Sequence, residues 1–408
     1  MMKTTRTASN SKDLKVLNRI KVLNTVRKNG PIARYEVAKL TALTPPAVTV
    51  IVNELIKVGV IQETGWGESS GGRRPVMLEL NPRFGYIFAV RLQHGIVNTA
   101  LLDLAGTILE SRHQKLDTTH PDEVVSIIVL SLNLILSGNG ISREKVFCCG
   151  VASPGLVNSY EGIVERSSNL DWGRFPLAAM LSQCLDGLPV HVENISNAAA
   201  LGEKTYGNGV GCENLVYLNL SVGIGAGIII NNALFGGARG YAGEIGSARV
   251  LYPTVVGDEN VVKYSTFEQA CSVRTILERI KAVVTEQEFA KLGLSKARLT
   301  IEEALLSPLI EIPEVREIIN EVSLLIGIKV AELIHLFNTD RVILGGELTR
   351  VGDLLLNTII QTVKENSLAE MTETVKITVS TMREDPALMG VYALILEKLF
   401  ISEEWLQL

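Results

Sequence analysis

One pattern of short apolar runs occurs twice in this chain of 408 residues, and that repetition constrains the fold more than any other feature. In the first copy, strands are expected at 86–90 and 97–103, followed by a turn at Ala105-Gly106 and a third strand. A helix follows over about 122–136, then a strand at 146–151 ending in Ser153-Pro154-Gly155. A short strand at 190–192 runs into Glu193-Asn194 and a helix holding Ala198, Ala199 and Ala200. The second copy opens with a strand at 215–220, the run Ser221-Val222-Gly223-Ile224-Gly225-Ala226-Gly227, a strand at 228–230 and a turn at Asn231-Asn232. Later strands fall at 342–344, leading into Gly345-Gly346-Glu347, and at 375–380. Hairpins followed by alternating helices and strands read as α/β.

Two such copies imply a duplicated, two-lobed body of the actin-like or hexokinase-like (ribonuclease H-like) kind, with a cleft between the lobes where a small ligand would bind. The expected units are a head at 1–81, a first lobe at 82–205 and a second lobe at 206–385. A C-terminal helix, about 386–408, returns to the first lobe. The Gly223-x-Gly225-x-Gly227 run is either a phosphate loop or, the preferred reading, a tight strand-to-strand turn.

The head has its own signature. Val16, Ile20, Leu23 and Val26 keep helical spacing up to Gly30-Pro31, a stop signal. A second short helix spans about 34–40. After the turn Thr41-Ala42-Leu43, Thr44 suits an N-cap and Pro45 a first helical position. The third helix reaches about residue 58, with Val48, Ile51, Val52 and Leu55 on one apolar face. Two short helices around a tight turn make a helix-turn-helix. Pro46, Ala47, Thr49, Val50 and Asn53 are the candidate residues for the major groove. Asn53 suits adenine and Thr49 a base edge or phosphate, while Val50 meets a thymine methyl or packs on the wing. Strands at 60–64 and 76–80 flank that wing. Its tip carries Gly71, Gly72, Arg73 and Arg74, suited to a narrow minor groove or phosphates, or else a solvated hairpin.

Charge supports the head as the DNA-facing part. Residues 1–80 carry 13 Lys/Arg against 6 Asp/Glu, and the remainder 26 against 38, so a basic head sits on an acidic body. Aromatic content of 5% argues against stacking platforms for single strands. The N-terminus is polar and basic, with no secretory apolar core. The longest apolar stretch, 126–136, is broken by Ser131 and Asn133 and is short for a bilayer, so no membrane partner and a cytoplasmic location are expected. The five cysteines form no Cys-x-x-Cys pair and read as buried thiols.

Several ordered motifs carry a resemblance: Gly71-Gly72-Arg73-Arg74-Pro75, Ser153-Pro154-Gly155, Ser168-Asn169-Leu170-Asp171-Trp172, Glu193-Asn194 with Asn197-Ala198-Ala199-Ala200-Leu201-Gly202-Glu203, the run from Gly236 to Gly246, and Leu344-Gly345-Gly346-Glu347. On these the chain resembles the ROK family (repressors, open reading frames, kinases). It is most similar to the branch of N-acetylglucosamine-, glucose- and xylose-responsive repressors. The resemblance implies sugar-effector contacts at Gly155, Asn169, Asn194, Glu244 and Glu268, whose amides and carboxylates suit hydroxyls.

The departures decide the chemistry. Where the family's kinases carry Asp-x-Gly-Gly-Thr for nucleotide and metal, this chain has Arg91-Leu92-Gln93-His94-Gly95. Where they place an Asp general base after Glu-Asn, it has Ile195, which accepts no proton. The family's zinc His is Ser247 here, and Cys271 lies beyond the stretch that would hold its cysteines. No catalytic residue, cofactor or metal is therefore expected. Arg91, His94 and Arg239 either receive an anionic group or have structural roles. The expected function is a regulator, a repressor by branch, that binds a double-stranded operator as a homodimer or homotetramer and answers a sugar or sugar phosphate. The alternatives are a DNA-binding regulator governed by a protein partner, and an active sugar kinase with a DNA-binding head.

Overall fold

The computed structural model describes residues 11–68, 74–116, 119–256, 259–306, 308–402 and 404–406. Gly71, Gly72 and Arg73 of the wing tip lie outside them. The head runs α1 (Ser11–Asn29), β1 (Ile32–Ala33), α2 (Arg34–Thr41), α3 (Pro45–Val58), β2 (Ile61–Trp66) and β3 (Val76–Leu80), with the strands ordered β1-β3-β2. Ala42 takes the left-handed conformation between α2 and α3 (φ 54), and Gly59 does the same after α3 (φ 94). Val48, Ile51, Val52 and Leu55 are buried as their spacing requires. Thr44 sits at the N-cap, but its hydroxyl makes no capping bond, and Pro45 at the first position starts the helix instead.

The first lobe contains β4 (Tyr86–Gln93), β5 (Ile96–Asp103), β6 (Ile108–Lys115), α4 (Pro121–Asn139), β7 (Val146–Ser153), β8 (Leu156–Asn158), β9 (Ile163–Arg166), α5 (Leu177–Cys184), β10 (Val190–Asn194) and α6 (Ile195–Tyr206). Its sheet has the order β10-β7-β4-β5-β6. The 19-residue α4 is longer than its central apolar run, and by length and composition it could cross a membrane. Here Val124, Ile128, Leu132 and Ile135 are buried in the first-lobe core. All five cysteines are free. Four are buried, but Cys184 is exposed, because Leu177, Leu181 and Leu185 take the inward positions of α5.

The second lobe begins with β11 (Leu215–Leu220), β12 (Ile224–Ile230), β13 (Ala233–Leu234), β14 (Arg249–Val256) and β15 (Glu259–Thr266). It continues through α7 (Phe267–Cys271), α8 (Val273–Val283), α9 (Glu286–Lys291), α10 (Ile301–Leu306), α11 (Pro313–Phe337), β16 (Arg341–Gly345), α12 (Asp353–Asn366), α13 (Ala369–Thr372) and β17 (Lys376–Val379). Its sheet order, β13-β12-β11-β16-β17, has the connectivity of the first lobe's sheet. In each, two antiparallel pairings on one side give way to two parallel ones on the other. The last helix, α14 (Pro386–Leu399), packs on α6 through small residues. A side chain at Gly390 would overlap the carbonyl oxygen of Ala198, and one at Gly202 that of Pro386. The glycine-rich run at 223–227 is only partly a turn. Gly225 and Gly227 lie inside β12, where a side chain at Gly225 would come 2.7 Å from the Ser196 hydroxyl and one at Gly227 would overlap the Ser196 carbonyl oxygen. Their bareness lets β12 pack on the start of α6.

The far end of α14 reaches the head. Asn24 of α1 donates to the Phe400 carbonyl (2.8 Å), and Arg27 bridges Glu397 (2.8 Å) with its guanidinium 4.8 Å over the Phe400 ring. Phe84 and Phe147 stack against Trp405, which in turn packs on Phe400, so linker, first lobe and C-terminus share one aromatic cluster.

Candidate functional site

In the head, α3 offers an outward face. Pro46, Thr49, Val50 and Asn53 are exposed and Ala47 is half-buried. Val50 is 56% exposed, so packing does not account for its place there. The Thr49 hydroxyl donates to the Pro45 carbonyl (2.9 Å), leaving its oxygen to accept. Asn53 Oδ1 lies 3.5 Å from Arg34, which also pairs with Glu63 at 2.9 Å. Arg74 is exposed at the base of the wing. Arg34, half-buried beside the outward face, was not singled out in the sequence because its neighbours Asn53 and Glu63 are distant along the chain.

A cleft of about 320 Å³ opens between the lobes. Gly155, Asn169, Asn194, Glu244 and Glu268 all line it, together with Arg91, His94, Arg166, Ile195, Ser196 and Ser247. Asn194 is held firmly. Its carbonyl oxygen caps α6 by accepting from the Ser196 and Asn197 amides, and its amide donates to the Gly155 carbonyl (2.9 Å). One N–H of that amide is left for a ligand. Gly155 has φ +99, and a side chain there would overlap the Arg166 carbonyl oxygen, so only glycine lets these segments meet. Asn169 and Glu268 converge above Gly223. A side chain at Gly223 would lie 2.8 Å from Asn169 Nδ2 and 3.2 Å from Glu268 Oε2. Glu268 accepts from the Ile224 amide at 2.9 Å, which fixes its carboxylate at the N-terminal side of α7.

Glu244 is reached by solvent through the cleft mouth, yet protein walls it on the other sides. Loss of hydration pushes its carboxyl up to about 7, neighbouring Glu268 pushes the same way, and Arg166 opposes both. The two glutamates therefore need not both be charged near neutrality.

Of the candidate anion receivers, one is paired and another lies outside the cleft lining. Arg91 is locked to Asp385, the N-cap of α14, at 2.6 Å. Arg239 is exposed but does not line the cleft. His94 Nδ1 lies 2.7 Å from the Asn169 carbonyl oxygen, which can only accept, so Nδ1 carries a proton. Arg166 also lines the cleft, where its charge acts on Glu244, and it belongs to none of the motifs.

A model of the ROK family matches residues 89–398. The chain belongs to the ROK family. A winged helix-turn-helix DNA-binding model matches residues 16–62, and this ROK protein is a DNA-binding transcriptional regulator. It is 30% identical to the xylose repressor of Caldicellulosiruptor bescii over 403 residues, covering 96% of this chain and 98% of that one. Its fold matches a ROK family transcriptional regulator, a homologue of the Escherichia coli Mlc protein, with a TM-score of 0.77 and 26% identity over 95% of this chain and 97% of that chain. A ROK family glucokinase from Streptomyces griseus, solved with glucose and AMPPNP, matches with a TM-score of 0.62 and 27% identity over 76% of this chain and 99% of the kinase.

Nucleotide and zinc do not fit the residues present. Across the stretch that stands in place of the family kinases' Asp-x-Gly-Gly-Thr, the Arg91–Asp385 pair and a Gln93–Glu347 hydrogen bond (2.8 Å) hold β4 against the second lobe and α14. Ser247 is a weak zinc donor, and Cys271 is buried in the second-lobe core with its thiol pushed up to about 12.

Proposed function

We propose that this ROK regulator is a cytoplasmic repressor of carbohydrate-metabolism genes, whose body binds a sugar or sugar phosphate without phosphorylating it. The carrying observation is Ile195. It lines the cleft between Asn194 and Ser196, at the position where proton abstraction would need a carboxylate. Residues 1–81 serve as the DNA-binding unit. Residues 82–205, with the helix returning over 386–408, form one lobe and residues 206–385 the other. Pro46, Ala47, Thr49, Val50 and Asn53 read the major groove, and Gly71, Gly72, Arg73 and Arg74 meet the backbone or minor groove. Gly155, Asn169, Asn194, Glu244 and Glu268 hold the effector. Two heads on a two-fold axis suit a palindromic operator, so the working form is a homodimer or homotetramer. Effector and DNA are linked through lobe closure, which requires the effector to favour one lobe arrangement.

The test is a thermal-shift panel of pentoses, hexoses and their phosphates, followed by a gel-shift assay with operator DNA. A ligand that binds the native state raises the melting temperature, and the same ligand releases DNA. Absence of any shift across the panel rejects the effector and favours control by a protein partner. Turnover of ATP with any of these sugars rejects the non-catalytic reading.

A further inference from the structure

We infer that Arg34 is a phosphate-binding residue, set to grip the sugar–phosphate strand between the groove read by α3 and the groove met by the wing, with Glu63 as its cover in the free chain. The inference rests on the proposed DNA-reading face and adds to it a contact that none of the motifs carries. Arg34 opens α2, outside both α3 and the wing, yet its guanidinium joins the two. Its Nη2 lies 2.9 Å from Glu63 on β2 and 3.5 Å from Asn53 Oδ1 on α3. Glu63 stands where the register of β2 against β3 slips, between Glu63 and Gly65, so the strand bends there on its way to the wing. Arg34 thus fills the crease between recognition helix and wing. Neighbouring grooves of a duplex are divided by one sugar–phosphate strand. A head that puts α3 in the major groove and the wing in the adjacent minor groove lays that strand along this crease.

The chemistry of the crease suits phosphate. Both contacts of Arg34 use Nη2, and among the described residues Nη1 and Nε have no hydrogen-bond partner. Those donors are open to phosphate oxygens. Other acids close by are occupied. Glu36 accepts from the Ala33 amide (2.9 Å), and Glu54 is paired with Lys15 and Arg19 of α1. Glu63 alone faces Arg34, and at 48% exposure against 28% for the arginine their attraction is weakened by water. Phosphates can therefore compete with Glu63 for the guanidinium, and once they hold it the uncovered carboxylate repels them.

The experiment is fluorescence-anisotropy titration of the full chain across a salt series. The probes are an operator duplex that the chain selects from a random pool, and a scrambled duplex. Wild type is compared with Arg34→Gln, Arg34→Lys and Glu63→Gln. Arg34→Gln should weaken both complexes by a similar factor and make the slope of log affinity against log salt about 0.9 shallower, the mark of one lost phosphate contact. Arg34→Lys should keep the wild-type slope, and Glu63→Gln should tighten both complexes. A pair that only braces the wing gives a different pattern: both neutral variants weaken binding and neither changes the slope. An unchanged slope in Arg34→Gln, or weaker binding by Glu63→Gln, overturns the proposal. So does an Arg34→Gln variant that narrows the ratio of operator to scrambled affinity, since Arg34 would then read a base. Asn53→Ala in the same assay keeps the underlying reading separate. A narrowed ratio there supports α3 as the reading helix whatever Arg34 does, and an unchanged ratio rejects that reading. Thermal melts check that each variant is folded at the assay temperature.

Discussion

Glu244 gives the cleft a pH dependence whose sign can be worked out. Its carboxyl, at about 7, lies above the ordinary value of 4.5, so between these values the folded chain holds a proton that the unfolded chain releases. Its contribution to stability is therefore present below about 4.5 and is lost as pH rises through about 7. Melting temperatures measured from pH 5 to 8 should fall more steeply for the wild type than for Glu244→Gln, and parallel curves would contradict the assignment. On the head, Asn53→Ala should weaken operator binding by about 1–3 kcal/mol while leaving the salt slope of non-specific binding unchanged. Competition gel shifts with operator and random DNA measure both. At this scale, the sequence made Ile195, Asn169, Asn194 and Glu244 visible because each sits in a motif, while Glu268 came only with the family resemblance. It hid Arg166, which belongs to none. Arg91 was readable as a charge, but its partner Asp385 lies 294 positions away, and no local pattern signals that pairing.

Among the elements, the crossing of α6 and α14 depends on bare backbone. Gly390→Ala places a methyl group into the Ala198 carbonyl and should destabilise the chain by about 1–3 kcal/mol, or more where the helices cannot separate. Denaturant unfolding compared with an exposed Ala substitution on α14 away from the head contacts, such as Lys398→Ala, separates this effect from helix propensity. The three head helices and the main strands of both lobe sheets were legible because period-2 and 3.6-residue patterns are strong there, whereas the hairpins β8–β9 and β14–β15 and the two-residue β13 were not read from the sequence. The glycines of β12 were misleading. Composition alone cannot distinguish a glycine needed for a turn from one needed because a helix crosses above it. The helices from α8 to α11 carry no motif, yet they supply much of the second-lobe core. Val315, Ile318, Val322, Ile326, Val330 and Ile334 are buried along one side of α11.

For the whole molecule, the proposed linkage of effector to operator assigns the route from cleft to DNA to the contacts between α1 and the end of α14. Arg27→Met removes both the Glu397 bridge and the charge over Phe400 while keeping the apolar stem. The variant should bind effector and operator separately with affinities within about threefold of wild type, a difference under about 1 kcal/mol. Its operator affinity should respond less to effector, read as the ratio of dissociation constants with and without ligand. An unchanged ratio would place the coupling elsewhere.

One residue before its first α14 is tethered to the cleft through Asp385 and Arg91, and one residue past its last it is tethered to the head through Phe400. Fourteen residues of helix make a rigid rod of about 21 Å. Swinging such a rod by roughly 5° about the cleft end sweeps the other end by about 2 Å, estimated from that same length. A shift of that size is roughly half of the 3.4 Å axial rise between successive phosphates on one strand of a duplex. Under the proposed linkage of effector to operator, the rod works like a tiller, carrying a small push at its cleft end to the contacts that α1 makes with Phe400 and Glu397.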